Sequence, residues 1–93
     1  MCRYILAEGI VSGSIKDEMV MLNMQNGKYY HLNHVSSRIC QLIKNAMYLD
    51  EICNELTSEF RIEQEECKKD VQKHLDQLLK LGIVEIIKDD PTP

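Results

Sequence analysis

The side chains best equipped for chemistry in this chain are Cys2, Cys40, Cys53 and Cys67, with His31, His34 and His74. A metal centre needs ligands that converge, and His31 and His34, with Cys40 beyond, come nearest to such a set. His31 falls in a strand pattern and His34 at the start of a helical one, so their side chains point in different directions. No fourth ligand is spaced to join them, and no metal is expected. The cysteines are widely separated, with no C-x-x-C and no secretion signal, which reads as reduced thiols. Cys40 and Cys53 fall in or beside apolar helical stripes, where a thiol behaves as a small hydrophobe. Cys67 opens a helix, a position that can activate a thiol, but Glu63, Glu65 and Glu66 oppose that effect.

The local signatures of catalysis are missing: there is no G-x-S-x-G, no P-loop and no H-E-x-x-H. A chain of 93 residues also has little room for an enclosed pocket. No catalytic residue and no cofactor are expected. An apolar fraction of 44% and a charged fraction of 28% suit a globular chain. The net charge of −4 and pI near 5.3 have the wrong sign for holding nucleic-acid backbones. The opening apolar stretch, Tyr4 to Ala7, is broken by Glu8 and Gly9, and no run approaches membrane-spanning length. A cytoplasmic location, with neither membrane nor nucleic acid as partner, follows.

Strand signals occupy residues 10–32. Ile10 to Ser14 reads as a first strand, Lys16-Asp17 as a turn, and Met19 to Met24 as a second strand. Asn26-Gly27 suits the positive φ angles of a tight hairpin turn before a third strand, Lys28 to Leu32. Asn33 is a helix N-cap for helix one, about His34 to Ala46, in which Val35, Ile39, Leu42 and Ile43 recur at helical spacing. Leu49, Ile52, Cys53, Leu56 and Phe60 form the stripe of helix two, with Asp50 and Glu51 in its first turn. Cys67, Val71, Leu75, Leu78 and Leu81 form that of helix three, about Gln64 to Leu81, with Gly82 where a left-handed stop is needed. Ile83 to Ile87 either packs beneath helix three or adds a strand.

A three-stranded antiparallel sheet followed by three helices is a segregated α+β order, and a winged helix-turn-helix is its compact solution. One domain spanning 1–93 is expected, with a core at about 10–87 and a flexible tail at 88–93. The outline invites comparison with a winged-helix transcription regulator. Helix three opposes that reading: Glu63, Glu65, Glu66, Asp70 and Asp76 outnumber Lys68, Lys69, Lys73 and Lys80, and it has no arginine. A small redox or metal protein is the other rival, and the scattered cysteines oppose it. The third strand should leave one backbone edge unpaired, and such an edge can accept an added peptide strand. On it Tyr30 and Leu32 share one face and Tyr29 and His31 the other. A proline at Tyr30 would then remove one backbone donor of the pairing.

Residues Met21-Leu22-Asn23-Met24-Gln25-Asn26-Gly27-Lys28-Tyr29-Tyr30-His31-Leu32-Asn33, then Ile39 and Leu42, Asp50-Glu51-Ile52, Asp70-Val71, Leu75, Leu78 and Gly82-Ile83-Val84, stand in the order and spacing of a known family. The stretch from Val20 to Val84 resembles the PqqD-like precursor-peptide recognition domains, the leader-binding modules of ribosomal peptide natural-product pathways. The aromatic-x-Leu-Asn element before an amphipathic helix is its most specific part. The second strand and turn are similar to recognition proteins of lasso-peptide pathways. Tyr48, Cys40 and His74 depart from the family pattern, which often has a Thr or Ser cap and aromatics there.

The resemblance implies that a leader peptide adds as a strand to the third strand and packs against helix three, its side chains filling shallow apolar pockets. Lys28, Tyr29, Tyr30, His31 and Leu32 would supply the strand edge. Asp70, His74 and Gln77, on one flank of helix three, would touch leader side chains. The implied partners are the precursor leader peptide and the leader peptidase and cyclase of the same pathway.

Overall fold

A computed structural model describes residues 2–16 and 18–88 of the chain. Nine elements follow one another: β1 (Cys2–Leu6), β2 (Ile10–Ile15), β3 (Glu18–Asn23), β4 (Lys28–His31), α1 (His34–Leu42), β5 (Met47–Tyr48), α2 (Leu49–Glu59), α3 (Gln64–Lys80) and β6 (Val84–Lys88). The architecture is α+β and winged-helix-like, with three helices and two antiparallel three-stranded sheets. The expected meander is the sheet β2-β3-β4, so the third strand of the sequence pattern is β4. The second sheet, β5-β1-β6, is an addition to that expectation.

That second sheet forms because two short apolar stretches pair across the chain. β1 runs antiparallel to β6 from Cys2 opposite Lys88 to Leu6 opposite Val84, and Tyr4 lies opposite Met47 of β5. Tyr4 is buried, which brings β1 into the folded unit ahead of the expected core at about residue 10. Lys88, expected in the tail, is the last residue of β6; the rest of the expected tail, 89–93, lies outside the described residues. Of the two options for Ile83 to Ile87, the added strand is the one adopted.

Helix α1 stops at Leu42, four residues short of the expected Ala46. The Ile43 carbonyl accepts the Leu6 amide at 3.2 Å, and Met47-Tyr48 must extend to pair with β1, so tertiary pairing wins over helical propensity. The hairpin turn also differs from the expected pair of positive φ angles. Gly27 alone takes one, at 71°, within a loop that runs from Met24 to Gly27 and is closed by the Gly27 amide on the Asn23 carbonyl at 2.8 Å. Asn26 uses its side chain instead, accepting the Lys28 amide at 2.9 Å. The Lys16 half of the preceding turn has φ 50°, whereas Asp17 lies outside the described residues.

Helix α3 ends as its sequence demands. Gly82 takes φ 75°, its amide bonds the Leu79 carbonyl at 3.1 Å, and the Ile83 amide reaches back to Leu78 at 3.0 Å, a Schellman stop. Met19 and Met21 of β3 and the stripes of all three helices then meet in one cluster with Tyr4, Ile83 and Val84. The thiols of Cys40, Cys53 and Cys67 lie inside it and all four cysteines are free. Burial pushes the Cys40 and Cys53 thiols up to about 12, with a hydrogen bond to Cys67 adding to the effect at Cys53. Such thiols are protonated and inert at neutral pH.

Candidate functional site

Strand β4 ends the meander, and among the described residues no strand pairs with its outer side. The phase of its hydrogen bonds follows from the register. The Leu32 amide donates to the Met19 carbonyl at 2.9 Å, and Tyr30 stands opposite Met21. Antiparallel alternation then directs the backbone groups of Lys28, Tyr30 and Leu32 towards β3, and those of Tyr29 and His31 outward. Tyr30 is therefore the wrong position for removing an outward donor; its amide belongs to the sheet, and the vacant donors are Tyr29 and His31.

Buried Ser37 fixes the end of this ladder. Its hydroxyl accepts the Met19 amide at 2.9 Å and donates to the Leu32 carbonyl at 3.3 Å, which ties α1 to both strands. Asn33, in extended conformation, accepts the Ser36 amide at 2.8 Å through its side chain, so α1 starts immediately after β4. This tight passage from strand to helix sets Ser36 against α3, where its hydroxyl and His74 Nδ1 share a 3.0 Å hydrogen bond.

A depression of about 230 Å³ lies between the end of β4 and α3, lined by His31, Leu32, Ser36, His74, Gln77 and Leu81 among others. Of the residues singled out in the sequence, it brings His31 and Leu32 together with His74 and Gln77. Lys28, Tyr29 and Tyr30 continue the edge beyond it, with Tyr29 72% exposed on the outer sheet face and Tyr30 half-buried opposite Met21. Asp70 sits one turn earlier on α3, at a second cavity of about 200 Å³ lined by Val35, Leu56, Phe60, Ile62 and His74. His74 borders both spaces, so the polar groove and the apolar cavity are neighbours. The apolar volume thus lies among the three helices rather than between strand and helix.

Ser36 was not singled out in the sequence, and Val35 and Phe60 were read there only as members of the apolar helical stripes. Two consecutive serines beside Val35 in the first turn of an amphipathic helix are the local sign of Ser36, since helical positions facing a core are seldom polar without a partner. The histidines do not converge. His31 Nε2 approaches Glu18 at 3.2 Å on the outer face, and the His34 ring packs edge-on against Phe60, 5.9 Å between centroids. Among the described residues no cluster of three or more His, Cys, Asp or Glu is placed to hold a metal, and no helix is long and apolar enough to cross a membrane.

These features define a winged-helix module with a vacant strand position beside its longest helix. The chain belongs to the family described as coenzyme PQQ synthesis protein D (PqqD), whose model matches residues 18–84. Among solved structures it is similar to TbiB1 in complex with the TbiA(beta) leader peptide, at 28% identity and a TM-score of 0.82 over 92% of this chain and 99% of that one. Its fold is also similar to that of a lasso peptide synthetase B1 complexed with the leader peptide, at 23% identity and a TM-score of 0.78 over 88% and 96% of the two chains. No curated protein matches the chain at a significant level.

Proposed function

We propose that this chain is a non-catalytic recognition domain that binds the leader segment of a ribosomally made precursor peptide as a strand added to β4. It would present that leader to the leader peptidase and cyclase of the same cytoplasmic pathway. The observation that carries the reading is the open outer edge of β4, with the backbone groups of Tyr29 and His31 turned outward beside a groove on α3. Family membership supports it, as do two structures of similar fold that were each solved with a leader peptide.

Main-chain bonds to the edge from Lys28 to Leu32 supply affinity without regard to sequence, and the groove supplies selection. Ser36 occupies His74 Nδ1, which leaves Nε2 for a leader side chain. Gln77 offers both a donor and an acceptor, and Asp70 an acceptor at the mouth of the apolar cavity. Holding the leader near a processing enzyme raises its effective concentration, so the module accelerates maturation without touching the reacting atoms.

The test is an amide-shift titration with a synthetic leader from a precursor gene beside this one, run in parallel with duplex DNA. Shifts confined to β4, α3 and the start of α1 with the leader, and none with DNA, are expected. A leader that leaves β4 and α3 unmoved overturns the proposal, and shifts on α3 with DNA alone favour the transcription-regulator reading. His31→Pro removes one outward donor and should weaken leader binding about tenfold, the worth of roughly one hydrogen bond.

A further inference from the structure

The meander has a second edge, and it is built differently from the first. β4 carries Lys28 and His31, β6 carries Glu85 and Lys88, and β5 is only two residues long; charge and shortness are the usual guards of a strand edge. β2, Ile10-Val11-Ser12-Gly13-Ser14-Ile15, is six residues without a charge, a proline or a break in its register on β3. Among the described residues nothing pairs with its far side. The Met24 amide donates to the Gly9 carbonyl at 2.8 Å, which sets the alternation: Val11, Gly13 and Ile15 bond to β3, while the backbone groups of Ile10, Ser12 and Ser14 point away. On the outer face Val11 is 52% and Ile15 61% exposed, and they flank Gly13, where an added Cβ would meet nothing within 4 Å.

The strand reads nearly the same in both directions about Gly13, since Ser12 answers Ser14 and Val11 answers Ile15. We infer that the β2 edge is a self-recognition surface on which a second copy of this chain docks antiparallel, joining two meanders into one six-stranded sheet about a two-fold axis at Gly13. In that register Ser12 stands opposite the partner's Ser14. Both have outward backbone groups, so each of the two symmetric pairs exchanges N–H···O bonds. Gly13 meets the partner's Gly13 in the non-bonded position between them, where two strands approach most closely. Val11 packs beside the partner's Ile15 on the same face.

Charge agrees with this register. Glu8 precedes the strand and Lys16 follows it, so antiparallel docking brings each Glu8 towards the partner's Lys16 at both ends. A slip of two residues sets Val11 against the partner's Gly13 and loses the side-chain match. The contact is isologous and closes on itself, and both β4 edges stay free at the far ends of the joined sheet. The inference therefore goes beyond the proposed leader binding and does not depend on it.

Sedimentation equilibrium of the full chain, in a series reaching about 1 mM because an edge contact is smaller than a standard interface, should show a monomer–dimer equilibrium. Hydrogen exchange over the same series should show the Ser12 and Ser14 amides, but not those of Val11 and Gly13, gaining protection with concentration. Ser14→Pro removes an outward donor without touching the β3 ladder, and Gly13→Lys sets two ammonium groups across the axis. Each should weaken dimerisation about tenfold or more with an unchanged far-UV spectrum. If Ser14→Pro fails to fold, Gly13→Lys and the exchange pattern of the unaltered chain still decide. The inference is overturned by a monomer at every concentration, by a dimer that survives both substitutions, or by an open ladder of larger species. It is equally overturned if the chain stays monomeric and Ser12 and Ser14 become protected only on adding the peptidase of the same pathway.

Discussion

In the sheet β5-β1-β6 the central strand, β1, pairs with one segment from the middle of the chain and one from residues 84–88, and buries Tyr4 at its middle. In the sheet β2-β3-β4 every pairing is local, and β3 sinks Met19 and Met21 into the core while β2 on one side is almost wholly exposed and β4 on the other is open along its edge. The difference separates holding from docking. A sheet that closes long-range contacts must be covered to justify the entropy of closure, whereas a meander anchored through one face of one strand can leave its edges for other chains. The helices serve both: α3 meets Tyr4 through the Gln72 amide at 3.5 Å from its hydroxyl, and through His74 it lines the groove beside β4.

The sharpest way to break that contrast is a matched truncation in each sheet. Tyr4→Ala should cost about 3 kcal/mol or more, in the range of buried aromatic deletions, and Val11→Ala less than about 0.5 kcal/mol, as at exposed positions. Denaturant midpoints at constant m-value measure both. Equal losses would show that the meander is as integral to the fold as the sheet that joins β1 to β6.

Next in size is a proline pair on β4. Tyr30→Pro deletes an amide engaged with β3, and should destabilise the chain by about 1–3 kcal/mol through the lost bond and its orphaned acceptor. His31→Pro deletes a vacant one, and an edge strand tolerates proline on its solvent side. Thermal melts should therefore rank His31→Pro well above Tyr30→Pro. The opposite order means that the assigned phase of the ladder is reversed.

Much of this could be read along the chain, because the three helices bury stripes that recur at local spacing and the meander is built from neighbouring segments. The phase of β4 was available too: a hairpin closed at Lys28 puts its alternate residue, Tyr30, on the paired side. β1 and β5 were not legible. They are short, and their apolar content has meaning only once Tyr4 faces Met47 and Ile86. The same limit hid half of the groove, since Ser36 and His74 are 38 positions apart and no local pattern joins them.

Gly82 links the two regions, ending α3 and turning the chain into β6. At φ 75° a side chain is strained even though an added Cβ would meet only the Asn23 amide nitrogen at 3.5 Å. Gly82→Ala should cost about 1 kcal/mol, read as a lowered melting temperature. If space rather than backbone conformation were limiting, Gly82→Asn would cost more than Gly82→Ala; the left-handed tolerance of asparagine predicts that it costs less.

A small effect belongs to a contact outside both sheets, and its pH dependence makes it a control for the others. Arg38 of α1 donates from Nε to both carboxylate oxygens of Glu59 at the end of α2, at 2.9 and 2.8 Å. That hydrogen bond, with smaller charge effects from Arg38 and His34, holds the Glu59 carboxyl below its ordinary range, and the same bond raises Arg38. A carboxyl depressed in the folded state contributes stability above its unfolded pKa and loses it as pH falls through the folded one. Glu59→Gln should therefore cost about 0.5 kcal/mol near pH 7, the scale of a solvent-screened pair. The gap between variant and parent should close as acid protonates Glu59. A gap that persists to the lowest pH at which the chain stays folded would assign the loss to packing rather than to charge. Leader-induced shifts on β4 should be the same in both proteins, because this pair braces the helices without reaching the strand edge.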